Sequence, residues 1–156
     1  NDAVDCERLI RSAGSFDLKF FCPDPFAYAI TDETFSVTEE GVHIITRTIG
    51  NIESLPVYRI EGVITAGASN YISITTNGSE LKIVNATLSE GETLVVDTDK
   101  MTAYVVDENG ETLRNGLPYL QELNFPTLVV GDNTVTVEIS NATLTELQIE
   151  AKNRWR

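Results

Sequence analysis

The clearest pattern in the chain lies in residues 125–139, FPTLVVGDNTVTVEI, where apolar and polar side chains alternate. Val135, Val137 and Ile139 share one face of an extended chain, whereas two threonines and a glutamate share the other. One apolar face and one polar face predict a strand that is half buried in an antiparallel sheet. Residues 127–130 are also rich in strand-forming side chains, so the Gly-Asp-Asn that follows them is expected to be a turn between two strands.

Several shorter segments repeat this alternation and are separated by turn residues. The clearest hairpin has strands at residues 71–76 and 79–84 around an Asn-Gly pair, because Asn-Gly tolerates the two positive φ angles of a type I′ turn. Residues 34–38 and 42–48 are expected to pair around a Glu-Glu-Gly turn. The remaining predictions are strands at residues 16–22, 57–61, 93–97, 102–106 and 144–151, a bulge at Gly62 and one short helix at residues 2–13.

About ten short strands with frequent turns and almost no helix predict an all-β fold, an antiparallel β-sandwich. The alternation gives each strand an inner face, but it does not give the order of the strands. The proline-bearing stretch at residues 23–31 precedes the regular strand spacing. It is the one plausible seam between two structural units.

The charge of the chain narrows the choice of partners. Its 24 acidic and 11 basic residues give a net charge of −13, which disfavours binding to nucleic acid or to an anionic membrane surface. No apolar run approaches the roughly 20 residues of a membrane span. Two cysteines are too few for a disulfide framework, and Cys22 is expected to be a buried thiol. Because the chain has neither an initiator Met nor a signal peptide, we expect a mature product or a fragment of a longer protein.

Candidate catalytic or metal-binding chemistry is sparse. Hydrolytic triads need a base beside the nucleophile, and the single histidine, His43, lies in the middle of a predicted strand. Asp107, Asn109 and Glu111 offer alternating oxygens to a calcium ion, but the full loop signature is missing and a plain turn is favoured. No phosphate-binding loop or zinc spacing is present. The sequence therefore predicts no enzyme, no catalytic or metal residue and no cofactor.

Five stretches of the chain, taken in order, resemble the distal tail (Dit) proteins of siphophages. The first is CPDPFAY at residues 22–28, after the strand pattern SFDLKFF; the next are LPVYRIEG at residues 55–62 and the run from residue 71 to residue 97. An FP-x-L…G-x-N signature near residue 130 and a final Arg-Trp complete the series. The family-motif positions are Asp24, Pro25, Phe26, Tyr28, Phe125, Pro126, Leu128, Gly131, Asn133 and Trp155.

The resemblance implies two structural units. Residues 1–30 are expected to be the end of an N-terminal ring domain, and residues 31–156 the C-terminal sandwich, a galectin-like or carbohydrate-module-like jelly roll. In this family the ring domain forms a hexamer at the tail tip, between the tail tube and the baseplate hub. The resemblance therefore implies a structural protein of the virion, assembled in the cytoplasm of the bacterial host, whose partners are copies of itself and other tail and baseplate proteins.

Two other functions suit the same fold class. A carbohydrate-binding module that recognises host cell-wall glycan needs an exposed aromatic ring on which a sugar stacks, and the candidates are Trp155, Tyr71, Tyr104 and Tyr119. No cluster of these rings with polar groups stands out, so the ligand-binding residues stay open. The second alternative is a bacterial surface adhesin domain, which a sorting signal or anchor in the full gene would favour.

Overall fold

The structure is a computed structural model that describes residues 19–21 and 24–156. Within them the chain forms twelve strands, and the one helical element is a 3-10 turn at Leu117–Tyr119. The strands are β1 (Ala27–Tyr28), β2 (Thr34–Val37), β3 (Gly41–Arg47), β4 (Val57–Ile64), β5 (Tyr71–Thr76), β6 (Ser79–Val84), β7 (Thr93–Asp97), β8 (Thr102–Val106), β9 (Thr112–Asn115), β10 (Gly131–Ser140), β11 (Ala142–Glu150) and β12 (Arg154–Trp155).

These strands are arranged in three antiparallel sheets. A four-stranded sheet has the order β3-β10-β5-β6, and a six-stranded sheet has the order β2-β11-β4-β7-β8-β9. β1 and β12 form a small third sheet. The two larger sheets contribute to one apolar cluster, as two packed layers do. The predicted all-β antiparallel β-sandwich is therefore confirmed.

The core consists of the apolar residues that the alternation places on the inner faces. Val135 and Val137 of β10, and Leu147 and Ile149 of β11, are at most 1% exposed and belong to the same cluster. A slip of β10 by one residue would turn its valines to solvent and its threonines inward. Burial of one face therefore fixes the register of each strand.

The predicted Asn-Gly hairpin is confirmed. β5 and β6 pair from Tyr71 opposite Val84 to Thr76 opposite Ser79, which leaves two residues in the loop. Their φ angles are 51° and 85°, as a type I′ turn requires. β7 and β8 also have the bounds that the sequence predicts.

The expected pairing of residues 34–38 with residues 42–48 is wrong. β2 pairs with β11 in the six-stranded sheet, whereas β3 pairs with β10 in the four-stranded sheet. The connection between them crosses from one layer to the other, and Val37 and Ile45 are both buried in the core. Alternation fixes the inward face of a strand, but it does not specify which strand completes its hydrogen bonds.

The irregularity predicted at Gly62 lies opposite that residue, on β11. The register between β4 and β11 shifts between Leu144 and Glu146. A Cβ atom on Gly62 would lie 2.2 Å from the carbonyl oxygen of Thr143. Glycine is needed here because the bulged partner strand approaches the backbone too closely for a side chain.

Some predictions fall on parts of the chain that the structure does not describe. The helix at residues 2–13 and the side chain of Cys22 lie outside the described residues. Of the predicted strand at residues 16–22, residues 19–21 are described and form no strand. Among the described residues, no helix has the length and apolar character needed to cross a membrane.

Candidate functional site

The C-terminus, the segment around β1 and two loops meet at one end of the sandwich, which we call the junction end. β1 pairs with β12 there, and Asn51 N donates a hydrogen bond to Arg154 O at 3.3 Å. Ser54 and Leu128 exchange two backbone hydrogen bonds of 2.9 and 3.1 Å. All ten family-motif positions lie at this end, which comprises residues 24–33, 47–57, 125–133 and 151–156.

Asp24 begins a short turn that leads into β1. Its Oδ1 accepts a hydrogen bond from Phe26 N at 3.2 Å, and its Oδ2 accepts one from the Tyr28 hydroxyl at 2.9 Å. The hydrogen bond to the Asp24 carboxylate raises the pKa of Tyr28. The Arg154 guanidinium lies over the Phe26 ring, 4.6 Å from its centroid. The motif residues around the exposed Pro25 thus form a turn that contacts the C-terminal strand.

Asn133 fixes the loop that precedes β10. This residue is fully buried, and its Oδ1 accepts hydrogen bonds from Val129 N and Asn77 Nδ2, both at 2.8 Å. Its Nδ2 donates to Val129 O at 3.0 Å and Gly131 O at 2.9 Å. The main-chain groups of Val129 bond to the Asn133 side chain and not to a neighbouring strand. The strand and turn expected across residues 127–133 do not form. β10 begins at Gly131 instead, so this part of the prediction is wrong.

The remaining residues of the FP-x-L signature pack into the core. Leu128 is fully buried, and Phe125 packs partly buried against the main apolar cluster. The Pro126 carbonyl oxygen lies 3.4 Å from the hydroxyl of Tyr58, which also donates to Thr76 Oγ1 at 3.1 Å. Burial raises the pKa of Tyr58 above its ordinary value. These contacts hold the loop across the end of both layers.

Arg47 is a residue of the junction end that the sequence reasoning missed. It is 1% exposed, and its guanidinium donates hydrogen bonds to Leu128 O at 2.9 Å and to Ile52 O. Burial lowers the pKa of Arg47, while the negative charge of Glu33 acts in the opposite direction. A signal was available, since Arg47 has the same inward parity on β3 as the buried Ile45.

A second polar group joins the C-terminus to the start of β2. Asn153 is 1% exposed; its backbone N and its Nδ2 donate to Asp32 Oδ1 at 3.0 and 2.7 Å. The Glu33 carboxylate accepts hydrogen bonds from Thr48 N at 3.0 Å and Ile49 N at 3.2 Å. Burial acts to raise the pKa of Glu33, but these hydrogen bonds outweigh it and the pKa is lowered. Charged Glu33 therefore stabilises the fold.

A small pocket of about 130 Å³ lies beside β1 and β12. Its wall includes Tyr28, Leu55 and Val57 together with charged side chains. Lys100 Nζ lies 2.6 Å from the Asp97 carboxylate in this wall, and their hydrogen bonds outweigh burial to lower the pKa of Asp97. Asp97 and Lys100 thus form a local ion pair, and ion pairs that only stabilise a fold shift pKa values in the same way.

The other candidates for chemistry make local structural contacts. His43 Nε2 lies 3.0 Å from the backbone oxygen of Glu39, four residues earlier in the connection that leads into β3. The Asp107 carboxylate accepts hydrogen bonds from Asn109 N at 3.0 Å and Glu111 N at 2.8 Å. The bond from Glu111 N is the main reason that the pKa of Asp107 is lowered. In the described residues, no group of three or more His, Cys, Asp or Glu side chains is placed to hold a metal ion.

Three of the candidate aromatic platforms contact other side chains of the chain. Lys82 Nζ lies over the Tyr71 ring, 4.5 Å from its centroid. The Tyr119 hydroxyl accepts a hydrogen bond from Arg114 Nε at 3.0 Å. Tyr104 packs against a small cluster of buried valines. Each ring is therefore at least partly used in packing or hydrogen bonding.

Trp155, the fourth candidate platform, is half buried opposite Ala27 in the β1–β12 pair. It lies at the junction end, whereas Tyr71 begins β5 at the opposite end of the sandwich. The structure therefore does not gather the proposed aromatic platforms into one surface.

The fold and the junction end define a β-sandwich module in which the first and last strands of the described residues, β1 and β12, are paired with each other. A family model described as the C-terminal domain of the siphovirus-type tail component (SPP1 Dit) matches residues 49–155. The chain belongs to this family, and the resemblance that the sequence indicates is confirmed.

A solved structure with a similar fold is that of SPP1 Dit (gp 19.1), described as a paradigm of the hub adsorption apparatus in phages that infect Gram-positive bacteria. The TM-score is 0.60 at 16% sequence identity, over 86% of this chain and 51% of the SPP1 protein. The chain thus spans about half the length of that protein. A search of curated protein sequences gave no match.

Proposed function

We propose that this chain is the outer part of a distal tail protein, a structural and non-catalytic component of the siphophage tail tip. In this role the sandwich provides the scaffold on which baseplate or receptor-binding components are attached. The observation that carries the proposal is the family match over residues 49–155. The sandwich fold shared with SPP1 Dit supports it.

The junction end supports attachment of the sandwich to a preceding ring domain. β1 lies before the expected boundary at residue 30, and its partner β12 lies near the C-terminus. Ala29 N also donates a hydrogen bond to Asn153 O at 3.0 Å. Paired strands restrict the orientation of two units more than a single flexible linker does. We therefore assign residues 1–30 to the end of the ring domain and residues 31–156 to the outer sandwich.

The proposed partners follow from this assignment. The full-length protein forms a hexameric ring with copies of itself and binds other tail and baseplate proteins in the virion, after assembly in the host cytoplasm. The family-motif residues serve a structural purpose, which the buried Asn133 and Leu128 support. The contacts made by the four aromatic candidates favour a scaffold over a cell-wall glycan site.

Immunoelectron microscopy of phage particles tests the proposal. Antibodies raised against the sandwich are expected to label the distal end of the tail, with none along the tail tube. Particles lacking the gene serve as the control for specificity. Labelling of the bacterial surface in the absence of phage would favour the adhesin alternative. Saturable binding on a glycan array that Trp155→Ala abolishes would favour the carbohydrate-binding alternative.

A further inference from the structure

The two edges of the four-stranded sheet differ in how they are covered. At the β6 edge, Gln121 N donates to Lys82 O at 2.9 Å, and Asn124 Nδ2 donates to Glu80 O at 2.9 Å. Ile83 also forms an isolated bridge with Leu120. The segment after the 3-10 turn therefore takes up hydrogen-bonding groups of this edge, which reduces its ability to pair with another chain.

The direction of the main-chain groups in β3 follows from the β5–β6 hairpin. In a hairpin with a two-residue loop, the residues that flank the loop, Thr76 and Ser79, form a hydrogen-bonded pair. Successive residues of a strand direct their main-chain groups to opposite sides, so Thr76 bonds to β6 and Thr75 bonds to β10. Asn77 N donates to Thr134 O at 2.9 Å, so the even-numbered residues of β10 direct their main-chain groups toward β5. The odd-numbered residues of β10 consequently bond to β3.

By the same alternation, Val42, Ile44 and Thr46 direct their backbone N–H and C=O groups away from the sheet. Thr48 has the same parity, and its N–H donates to the Glu33 carboxylate at 3.0 Å, which agrees with this direction. β3 pairs with β10 alone. Within the described residues, the backbone N–H and C=O groups of Val42, Ile44 and Thr46 form no hydrogen bond with a second strand.

The side chains of this edge also lack the usual protection. Val42 and Ile44 are each 69% exposed, and no charged residue lies between Gly41 and Thr46. Natural edge strands are usually shortened, bulged, or protected by lysine or proline. A seven-residue strand with exposed apolar side chains and three outward main-chain positions is instead suited to accept a further strand.

The charges around β3 determine which kind of strand fits. Glu39 and Glu40 are exposed just before β3, and Asp132 and Glu138 are exposed on the neighbouring β10. The single arginine or lysine in these two strands and the connection before β3 is Arg47, which is 1% exposed. The edge is therefore apolar at its centre and acidic around it, so that basic side chains on an incoming strand are attracted.

A second copy of the chain is a poor occupant of the same edge. An antiparallel pair of β3 strands centred on Ile44 would bring Glu40 of one copy near Thr48 of the other, beside the Glu33 that binds Thr48. Each copy also carries a net charge of −13. Like charges placed close together oppose association.

We propose that the free edge of β3 is a docking site for an extended segment of another protein, with apolar residues at alternate positions and lysine or arginine between them. The segment adds a fifth strand beside β3, and its main chain bonds to Val42, Ile44 and Thr46. This proposal rests on the proposed function only for the source of the segment, another component of the tail tip.

The test uses the 156-residue chain and a capped peptide of alternating lysine and valine, about nine residues long. Hydrogen exchange measured by NMR is the main readout. Without peptide, the amides of Val42, Ile44 and Thr46 are expected to exchange rapidly, whereas those of His43 and Ile45 are protected by β10. With peptide, the first three amides become protected and the other two keep their protection. Protection without this alternation would contradict strand addition.

Variants of the peptide and of the protein distinguish the contribution of main-chain hydrogen bonds to the affinity from the contributions of charge and apolar contact. A peptide N-methylated on the edge that faces β3 keeps its side chains, and we expect its affinity to fall at least about tenfold. Ile44→Pro removes an outward N–H that β10 does not use, and a similar loss is expected. Ile44→Thr is the matched control, which keeps the main chain, and its affinity should fall less than about threefold. Thermal unfolding establishes that both variants are folded.

Three results would overturn the docking site. The unmodified peptide could fail to bind at millimolar concentration, it could bind Ile44→Pro as well as the parent chain, or sedimentation could show a dimer of the chain that Ile44→Pro dissociates. Because these measurements use the isolated chain, they do not depend on whether the protein lies in a phage tail. If the peptide failed to bind, antibody labelling of the tail tip would still support the proposed function. If the antibodies failed to label the tail tip, the peptide result would still support the docking site.

Discussion

The two ends of the sandwich hold their loops by different means. At the junction end, buried polar side chains join segments that are distant in sequence, such as Arg47 with Leu128 and Asp32 with Asn153. At the opposite end, which we call the far end, the turn after β8 is exposed and is held by hydrogen bonds from residues 109 and 111 to Asp107. The junction end therefore depends on buried contacts between distant segments, whereas the contacts of the far end are more exposed to solvent.

This contrast determines how much stability a substitution at each end should cost. A buried polar group that loses its partner retains the full cost of its burial, whereas an exposed group regains hydrogen bonds from water. The junction end should therefore lose far more stability per substitution than the far end.

The largest effect is expected for Asn133→Ala. The substitution removes an amide that makes four hydrogen bonds and leaves the main-chain N–H and C=O of Val129 without their partner. We expect the free energy of unfolding to fall by about 3 kcal/mol, measured by urea denaturation. The far-end control, Asn109→Ala, should change it much less. Equal effects of the two substitutions would contradict the contrast between the ends.

Arg47→Met should have the next largest effect. Methionine retains most of the apolar stem but leaves Ile52 O without its side-chain donor, while Leu128 O keeps the backbone hydrogen bond from Ser54 N. Because Arg47 Nε has no hydrogen-bond partner among the described residues, removing it offsets part of the loss. We expect a decrease of about 2 kcal/mol in the free energy of unfolding.

The matched control for Arg47→Met is Arg59→Met. Arg59 pairs with Glu150 at 2.5 Å, but its side chain is 38% exposed. An ion pair in contact with solvent contributes about 0.5 kcal/mol, so the control should lose much less stability than the test variant. If Arg47→Met unfolded at the same urea concentration as Arg59→Met, the buried guanidinium would not hold the two loops.

Much of the fold could be predicted because side-chain alternation depends on neighbours in the sequence. The inward faces of β10 and β11 and the Asn-Gly hairpin follow from such local patterns. The separation of β2 from β3 into different layers could not be predicted, since it depends on pairing with β11 and β10. The place of the motif residues at one end likewise required the structure, because those residues are joined only through the folded layers.

The buried polar residues show the same limit in the candidate site. Asn133 occurs after a glycine and an aspartate, where a turn is the ordinary expectation. Its actual partners include Asn77, 56 residues away. Arg47 could be assigned to the inner face by parity, but its acceptors lie in two loops with no regular pattern. Composition and spacing identify neither set of partners.

Glu33 gives a pH-dependent effect at the junction end. Its folded pKa is lowered from 4.5 by hydrogen bonds from Thr48, Ile49 and Asn153, which outweigh burial. The stabilisation is therefore present above about pH 4.5 and is lost as the pH falls through the folded pKa. Glu33→Gln should lower the melting temperature at pH 7 and should reduce its dependence on pH between pH 5 and pH 3. If the melting temperatures of Glu33→Gln and of the parent chain changed with pH in parallel, Glu33 would not have this role.

The smallest expected effect is at the far end, for Glu92→Gln. Arg114 donates to both Glu92 carboxylate oxygens at 2.6 and 2.7 Å, and this hydrogen bonding is the main reason that the pKa of Glu92 is lowered to about 2. The stabilisation is full above about pH 4.5 and is lost as the pH falls toward 2. Since the two side chains are 17% and 33% exposed, we expect at most about 1 kcal/mol at pH 7.

Salt separates this ion pair from the buried contacts of the junction end. Screening weakens ion pairs that are in contact with solvent more than it weakens buried ones. The cost of Glu92→Gln should therefore shrink in about 0.5 M NaCl, while the cost of Asn133→Ala should stay nearly constant because its hydrogen bonds are neutral and buried. Urea denaturation of both variants at low and high salt measures the two changes. A salt-independent cost at Glu92 together with a salt-sensitive one at Asn133 would reverse the assignment of the two ends.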